Sequence, residues 1–537
     1  MKILLGHSYF LRFDPKLEEA MQPYPPLGTL LVAAQLRDAG HHVVLFDAML
    51  EPSEARWTEL LQEHQPEVAV LFEDNFNYLS KMCLLNMRDA AHRMLAEAKR
   101  LAVPAFVCGS DASDQPAGYL AAGADLIIVG EGDGTLAALT SGAEVDIDAG
   151  TDVAGVAYLA DDGSVVTNPE RPNLKGLDSL PFPAWDLVDI ERYRAVWLEH
   201  HGEFSWNVVT TRGCPYHCNW CAKPIWGQRY NARSPESVVA ELTLLNETVR
   251  PDHIWFADDI FGLKPGWIET FADLVTEAGL DLRFKCLSRP DLLTKGDTVA
   301  HLARAGCEIV WIGAESGSQT VLDAMEKGTK VEQIEQAASL VHDAGFKIGF
   351  FLQFGYPGER LDDIEKTLGL VRRARPDDIG MSVAYPLPGT KFHERVLAQL
   401  GEVRNWKDSD DLAMLFAGPY STDFYRRLHV RLHREFRLRQ TWWDMRSGSR
   451  PNPRRIAGAI RDLALLPVER MRLKRMAHAV DPATTVATLP VELDHAGAAT
   501  PTPQSLSSSQ PVSIRSSSPE TADPPKHRVG SEGSGEI

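Results

Sequence analysis

Cysteine is scarce in this sequence, with seven among 537 residues, so a disulfide-held scaffold is excluded and each cysteine stands for chemistry or core. Long apolar runs are also missing. No stretch approaches the roughly 20 residues of a spanning helix, and Met1 to Ser8 passes from one Lys through Ile-Leu-Leu to Gly-His, too brief for the core of a signal peptide. The expected compartment is the reducing cytoplasm. Positive charge is in short supply as well: 55 Lys and Arg face 74 Asp and Glu, a net charge of -19. A general nucleic-acid binder needs a basic surface to displace counterions, so that partner class is excluded. Neither periodic glycine nor heptads occur, which excludes a fibrous protein. What is present is a 44% hydrophobic chain, long enough for about three or four domains.

Residues 1–135 alternate short apolar runs (Lys2 to Gly6, His42 to Phe46, Val68 to Phe72, Ala105 to Cys108, Asp125 to Val129) with helical stretches such as Leu27 to Ala39. That rhythm implies an α/β fold with a doubly wound parallel sheet, whose ligands sit at the carboxyl ends of the strands. The loops there are rich in glycine and small polar residues: Pro25-Pro26-Leu27-Gly28, Asp47-Ala48, Glu73-Asp74-Asn75, Gly109-Ser110-Asp111-Ala112-Ser113 and Gly130-Glu131-Gly132-Asp133. A tight turn explains any one of them; several on one edge point to a bound ligand.

A connector occupies 136–200, with a hairpin expected around Asp161-Asp162-Gly163 and an extended path at the proline-broken Leu180 to Trp185. In 201–395 six more strand-like runs follow, Asn207 to Thr211, His253 to Ala257, Leu282 to Leu287, Glu308 to Gly313, Lys347 to Phe354 and Ile379 to Tyr385. Amphipathic helices lie between them, one opening at Ser234-Pro235 with a capping Ser, and six such units predict a partial (β/α)6 barrel of the TIM type. Residues 396–477 are a small helical region. It carries Arg and His at helical spacing over Phe424 to Arg439 and a basic amphipathic segment from Arg454 to Met476. A solvated face accounts for that segment better than a membrane anchor, because its apolar stripe is short. Residues 478–537 are dominated by Ser, Pro, Thr and Ala, cannot bury a core, and are expected to be a disordered tail.

The first strand of the second domain runs into Thr210-Thr211-Arg212-Gly213-Cys214-Pro215-Tyr216-His217-Cys218-Asn219-Trp220-Cys221. Three of the seven cysteines fall within these eight positions from 214 to 221, a C-x3-C-x2-C spacing. Thiolates so placed suit a soft metal centre; a zinc knuckle and three buried thiols are the structural alternatives. Zinc requires a fourth ligand, and His217 on the same tight loop is badly placed to complete a tetrahedron. Three thiolates suit an iron-sulfur cluster with one iron left open. Cys83, Cys108, Cys286 and Cys307 sit singly in apolar contexts and read as core.

On this loop and the later strand ends the sequence closely resembles the radical S-adenosylmethionine superfamily. The resemblance implies a four-iron four-sulfur cluster held by Cys214, Cys218 and Cys221, S-adenosylmethionine on the open iron, and reductive cleavage to methionine and a 5'-deoxyadenosyl radical. Phe256 to Phe261, Ser288 to Asp291, Gly313 to Ser318, Gly355 to Glu359 and Pro386 to Thr390 resemble the members that carry an N-terminal, Rossmann-like cobalamin domain. By position in that group, Trp220 lies near the adenine, Asp258 or Asp259 together with Arg289 helps hold the amino acid part, Glu315 and Ser316 hold the ribose side, and Gln353 and Pro388 complete the S-adenosylmethionine site. Cobalamin contacts fall by the same likeness on Gly28, Asp47, Gly109, Ser110, Asp111, Gly130, Glu131 and Gly132. Two departures stand out: no D-x-H-x-x-G motif offers a histidine to cobalt, and Gly109 to Ser113 stands where relatives carry Gly-Gly and a histidine.

The resemblance leads first to a cobalamin-dependent enzyme that methylates an unactivated carbon or phosphorus centre of a small molecule, with an external electron donor of the flavodoxin or ferredoxin type. The alternative is oxidative cyclisation without methyl transfer, because Cys218 to Gly227 resembles the anaerobic magnesium-protoporphyrin monomethyl ester cyclases. A non-catalytic cobalamin sensor with a structural metal knuckle is the third reading. Trp406, Phe416, Tyr420 and the helix after Tyr425 are expected to pack more than to recognise substrate, and His429 and His433 to lie on a solvated helix face. No residue is assigned as catalytic, and no integral membrane segment or nucleic-acid partner is expected.

Overall fold

The computed structural model describes residues 1–76, 85–221, 225–227, 229–401, 405–407, 412–446, 448, 451 and 453–478. Cys83 and the tail after 478 therefore lie outside the described residues, as does part of the cyclase-like segment at 222–224 and 228.

The first sheet contains seven strands: β1 (Lys2–Gly6), β2 (His42–Phe46), β3 (Val68–Phe72), β4 (Ala105–Cys108), β5 (Leu126–Ile128), β6 (Val156–Leu159) and β7 (Val165–Thr167). Their order is β2-β1-β3-β4-β5-β6-β7. The first five are parallel, and β5-β6 and β6-β7 are antiparallel. Helices on both faces explain why β1 and β3 read as unbroken apolar runs: Ile3, Leu4, Leu5, Val68 and Val70 are fully buried. The hairpin expected in the connector forms at Gly163, and it extends this sheet beyond β5. Only the β6-β7 connection is a tight hairpin of the kind antiparallel strands allow; β5 and β6 are joined through the helices Asp133–Leu139 and Ile147–Gly150.

The second sheet is built from β8 (Ser205–Val208), β11 (His253–Phe256), β12 (Phe284–Ser288), β13 (Cys307–Glu315), β14 (Lys347–Phe354) and β15 (Asp378–Val383). All six are parallel and neighbours in that order, the open partial barrel that the sequence predicts. Between β8 and β11 a two-residue ladder pairs β9 (Thr211–Arg212) with β10 (Asn231–Ala232) and turns the cysteine loop back on itself. Ser234 caps the Pro235–Thr248 helix by accepting from Ser237 N–H, as its sequence predicts.

The two sheets meet through the Pro23–Pro25 segment and the linker. Asn207 on β8 donates to the Pro25 carbonyl at 2.9 Å, Tyr24 and Ser205 share a 2.9 Å hydrogen bond, and Trp197 donates to the Pro23 carbonyl at 2.7 Å. One apolar core runs from Tyr9 and Tyr24 through the barrel to Phe436. The helical region closes on the barrel, with Trp406, Phe416 and Tyr425 buried, which is the packing role expected of them.

Candidate active site between the two sheets

In the order β2-β1-β3-β4-β5 the parallel strands are added in opposite senses on either side of β1 and β3, so a crevice opens beyond their carboxyl ends. Residues leaving those ends, Tyr9, Asp74 and Phe76, line a cleft of about 170 Å³ together with Asn207, Trp255, Ala257 and Lys285 of the barrel. The Lys285 ammonium lies 5.1 Å from both the Tyr24 and Trp255 rings, a partly desolvated cation held by two π-faces. Asn207, which lines this cleft, has a buried Oδ1 with no hydrogen-bond partner, as do both side-chain atoms of Asn75, between the cleft residues Asp74 and Phe76, and Oε1 of Gln353 near the end of β14. Buried amides are nearly always satisfied, so Asn207 and Asn75 mark an unmet demand that a polar ligand at the cleft fits.

The cysteine loop is braced on three sides. Asp258, at the end of β11, accepts both backbone N–H groups and both hydroxyls of Thr210 and Thr211 at 2.6–2.8 Å. Three of those donors share Oδ1 and one takes Oδ2, so the carboxylate braces the loop entrance. Burial pushes its carboxyl up to about 6 despite those four bonds. Gly213 follows with φ +80, and a Cβ there runs into the Arg229 carbonyl oxygen, so no other residue fits before Cys214. At the far end Asn219 donates to the Ala324 carbonyl at 2.8 Å, accepts from Tyr356 Oη at 2.8 Å, and accepts from Phe392 N–H through its backbone carbonyl at 3.0 Å.

Cys214 and Cys218 are buried and Cys221 half-buried. Arg289 is buried with its guanidinium 3.6 Å from the Tyr216 ring centroid, bonded to Asp291 and the Lys327 carbonyl, and 3.9 Å from Cys218 Sγ. Lys327 Nζ lies 2.8 Å from Glu315 and 5.9 Å from the Trp220 ring. Burial works against its ammonium, yet Glu315 and the Cys218 thiol hold its pKa above the usual value. Two cations thus stand against a thiol set, the electrostatics that an anionic cluster requires. Among the described residues no three His, Cys, Asp or Glu side chains converge on a single-ion site; a cube of four irons gives each thiolate its own iron, so it takes sulfurs held apart.

The remaining expected residues are distributed as follows. Asp259 is exposed. Glu315 ends β13 at a register shift with φ +54, a strained conformation for a non-glycine residue, and its carboxylate is committed to Lys327. Ser316 shares a 3.1 Å hydrogen bond with Thr367. Pro388 lies in the loop after β15. On the first sheet, Gly28 N–H donates to Asp74 at 3.0 Å, and Asp47 is held by His7 at 3.1 Å and Tyr193 at 2.7 Å. Gly109 and Ser110 open the short helix after β4, with a Cβ on Gly109 2.9 Å from the Glu73 side chain. Asp111 is bound by Arg88 at 2.6 and 2.7 Å and by Tyr119 at 2.7 Å.

Gly130 and Gly132 have positive φ, and a Cβ on Gly132 runs into the Cys108 sulfur. Glu131 and Asp133 together grip Arg212, and all three are buried. Arg212 stands two positions before Cys214, and its guanidinium lies 5.0 Å from the Trp226 ring, so one side chain ties the cysteine loop to the last loop of the first sheet. Arg212, Lys327, Asn219 and Lys285 escaped the sequence reading, because the contacts that give them a role (Glu131, Glu315, Tyr356 and Tyr24) carry no local sequence pattern. His429 and His433 are half-buried on their helix, with rings 4.2 Å apart, and line a cleft of about 660 Å³ beside Ile379, Gly380 and Met381.

Family comparison agrees with this geometry. Residues 17–140 match the B12 binding domain and residues 208–371 the Radical SAM superfamily; the chain carries these two domains in that order. It is 29% identical over 289 residues to a protein of Pyrococcus horikoshii named as an uncharacterized methyltransferase, a match covering 53% of this chain and 60% of that one. It is 25% identical over 389 residues to the anaerobic magnesium-protoporphyrin IX monomethyl ester cyclase of a Synechocystis strain, covering 71% and 75%. Among solved structures it shares its fold with the radical S-adenosylmethionine methyltransferase TsrM of Kitasatospora setae, which holds cobalamin and a four-iron four-sulfur cluster, at a TM-score of 0.59 and 19% identity over 74% of each chain. Among the described residues no helix is long and apolar enough to cross a membrane.

Proposed function

We propose that this protein is a cobalamin-dependent radical S-adenosylmethionine enzyme that methylates an unactivated carbon or phosphorus centre of a small molecule. The observation that carries the reading is the junction at Arg212: the cysteine loop and the glycine loop of the B12 domain are locked by one buried ion-pair cluster beside a cleft that both sheets line. Cys214, Cys218 and Cys221 would hold the cluster, and the edge of the first sheet beyond β1 and β3 would hold the corrin. When bound, these groups supply one-electron cleavage of S-adenosylmethionine and carriage of a methyl group. The chain's own residues position and exclude. Asp258 and Asn219 fix the two ends of the cysteine loop, Arg289 and Lys327 offset thiolate charge, and Tyr24, Phe76 and Trp255 wall the cleft against water. Asn75, Asn207 and Gln353 offer unpartnered amide atoms for orientation. Electrons come from an external donor of the flavodoxin or ferredoxin type, and the compartment is the cytoplasm.

The test is anaerobic reconstitution with iron, sulfide and cobalamin, followed by mass spectrometry of the products formed from S-adenosylmethionine with a strong reductant. Methyl transfer is supported by 5'-deoxyadenosine together with S-adenosylhomocysteine, and both are lost in Cys214→Ala. Formation of 5'-deoxyadenosine alone, across a panel of candidate substrates, favours the cyclase-like reading, which the likeness to the Synechocystis protein supports. Neither product, with Cys214→Ala indistinguishable from wild type, overturns the assignment.

A further inference from the structure

The Pro453–His478 helix distributes its side chains the wrong way round for a helix that faces water. Its only two acids, Asp462 and Glu469, are 1% and 5% exposed. Both are turned inward onto arginines of the preceding Thr422–Arg446 helix: Asp462 lies 3.3 Å from Arg437 and 3.8 Å from Arg434, and Glu469 lies 2.9 Å from Arg427. Ala459, Leu466 and Leu473 share that buried face. Outward, Ile456, Ile460, Leu463 and Met471 are 37%, 64%, 60% and 47% exposed. Their spacing of four, three and eight residues places them on one side of an α-helix. Pro467 falls on the same arc and is exposed. Trp442 and Met445, at the end of the preceding helix, are 49% and 48% exposed.

The charges complete the pattern. With both acids buried, the charged side chains on the exposed surface of this helix are all basic: Arg454, Arg455, Arg461, Arg470, Arg472, Lys474 and Arg475 are exposed. Arg455, Arg461, Arg470 and Arg472 also pair with Asp444, Asp462, Glu435 and Glu469, whereas Lys474 falls on the apolar arc itself and Arg475 beside it, in a chain whose net charge is -19. An apolar stripe edged by arginine and lysine, on a helix too polar to span a bilayer, matches what an anionic lipid surface binds: apolar groups enter the acyl boundary while cations meet the headgroups. A second copy of this chain is a poorer occupant, because two such faces would set basic rims against each other.

We propose that the outer face of the Pro453–His478 helix docks on the surface of an anionic phospholipid bilayer, lying in its plane.

Full-length protein, reconstituted anaerobically, is sedimented with vesicles of phosphatidylcholine alone or mixed with phosphatidylglycerol. Wild type binds the phosphatidylglycerol vesicles, and added salt weakens the binding. Ile460→Glu with Leu463→Glu lowers the partition coefficient at least about tenfold, and Arg470→Gln with Lys474→Gln and Arg475→Gln lowers it by up to roughly a hundredfold, since each basic residue near an anionic surface is worth about fivefold. Helical circular dichroism and 5'-deoxyadenosine formation stay at wild-type level in both variants. If the double Glu variant loses helical signal, the charge-neutralised variant decides the matter alone. The proposal is overturned by absence of binding at low salt, by equal binding to both vesicle types, by unaltered binding of the charge-neutralised variant, or by light scattering that shows a dimer which the Glu substitutions dissociate.

Discussion

Replacing Arg212 by Ala is the sharpest test of how the two domains are joined. In the native protein the Arg212 side chain is 5% exposed, and those of Glu131 and Asp133 are 8% and 4% exposed. The substitution therefore leaves two carboxylates buried without a counter-charge. Breaking a buried ion pair from one side costs about 3–5 kcal/mol, and loss of the guanidinium over Trp226 adds up to about 1 kcal/mol, a large part of a typical unfolding free energy of roughly 5–15 kcal/mol. The pH dependence has a definite sign. Burial already raises the Glu131 carboxyl above its ordinary value, and Arg212 is the strongest influence opposing it, so its removal lifts that pKa further. A carboxyl raised in the folded state binds protons more tightly there than in the unfolded chain, so stability falls as pH rises through the raised value. The deficit of Arg212→Ala is thus larger near pH 8 than near pH 5. Urea unfolding followed by tryptophan fluorescence at both pH values reads it, with cobalamin binding as a second signal. A combined Arg212→Met, Glu131→Gln, Asp133→Asn variant removes every charge and returns to within about 1 kcal/mol of wild type. A loss below about 1 kcal/mol in the single variant, or a combined variant as damaged as the single one, refutes the reasoning.

Two other outcomes follow from buried carboxyls. Asp258→Ala strands four donors of Thr210 and Thr211, which costs about 3 kcal/mol or more and lowers the iron bound per chain on reconstitution, whereas Asp258→Asn keeps one acceptor and retains more iron; equal iron content in wild type and Asp258→Ala excludes the bracing role. Glu359 is buried, accepts from Gly355 N–H at 2.7 Å, and burial pushes its carboxyl up to about 8. Wild-type stability is therefore expected to decline as pH rises from the ordinary Glu value toward 8. Glu359→Gln, which cannot ionise, gains on wild type over that window by up to roughly 4 kcal/mol, read by denaturant titration at a series of pH values.

The strands of both sheets were legible because buried parallel strands are short apolar runs and the helices between them carry the other period, and the cysteine spacing was legible because its three members are local. The roles of Asp258 and Glu131 were not. Each stands at a strand end where a ligand contact is expected, and each also braces the protein itself, Asp258 through two threonines 47 and 48 positions earlier and Glu131 through Arg212. The basic segment after Arg454 was recognised as amphipathic, but a sequence period says only that two faces differ; which one turns inward depends on the partner helix, and here the arginines at 427, 434 and 437 draw the acidic side in.

By itself the sequence determined the two α/β domains, their order and the cysteine loop, since periodicity, glycine turns and close spacing are properties of neighbouring residues. Only the tertiary structure decided where the cleft opens, which follows from the strand order beyond β1 and β3, and which charged residues are spent on architecture. Those outcomes depend on contacts between residues far apart in the chain, where burial raises the energy of every unpaired charge and lets one distant partner settle a side chain's role.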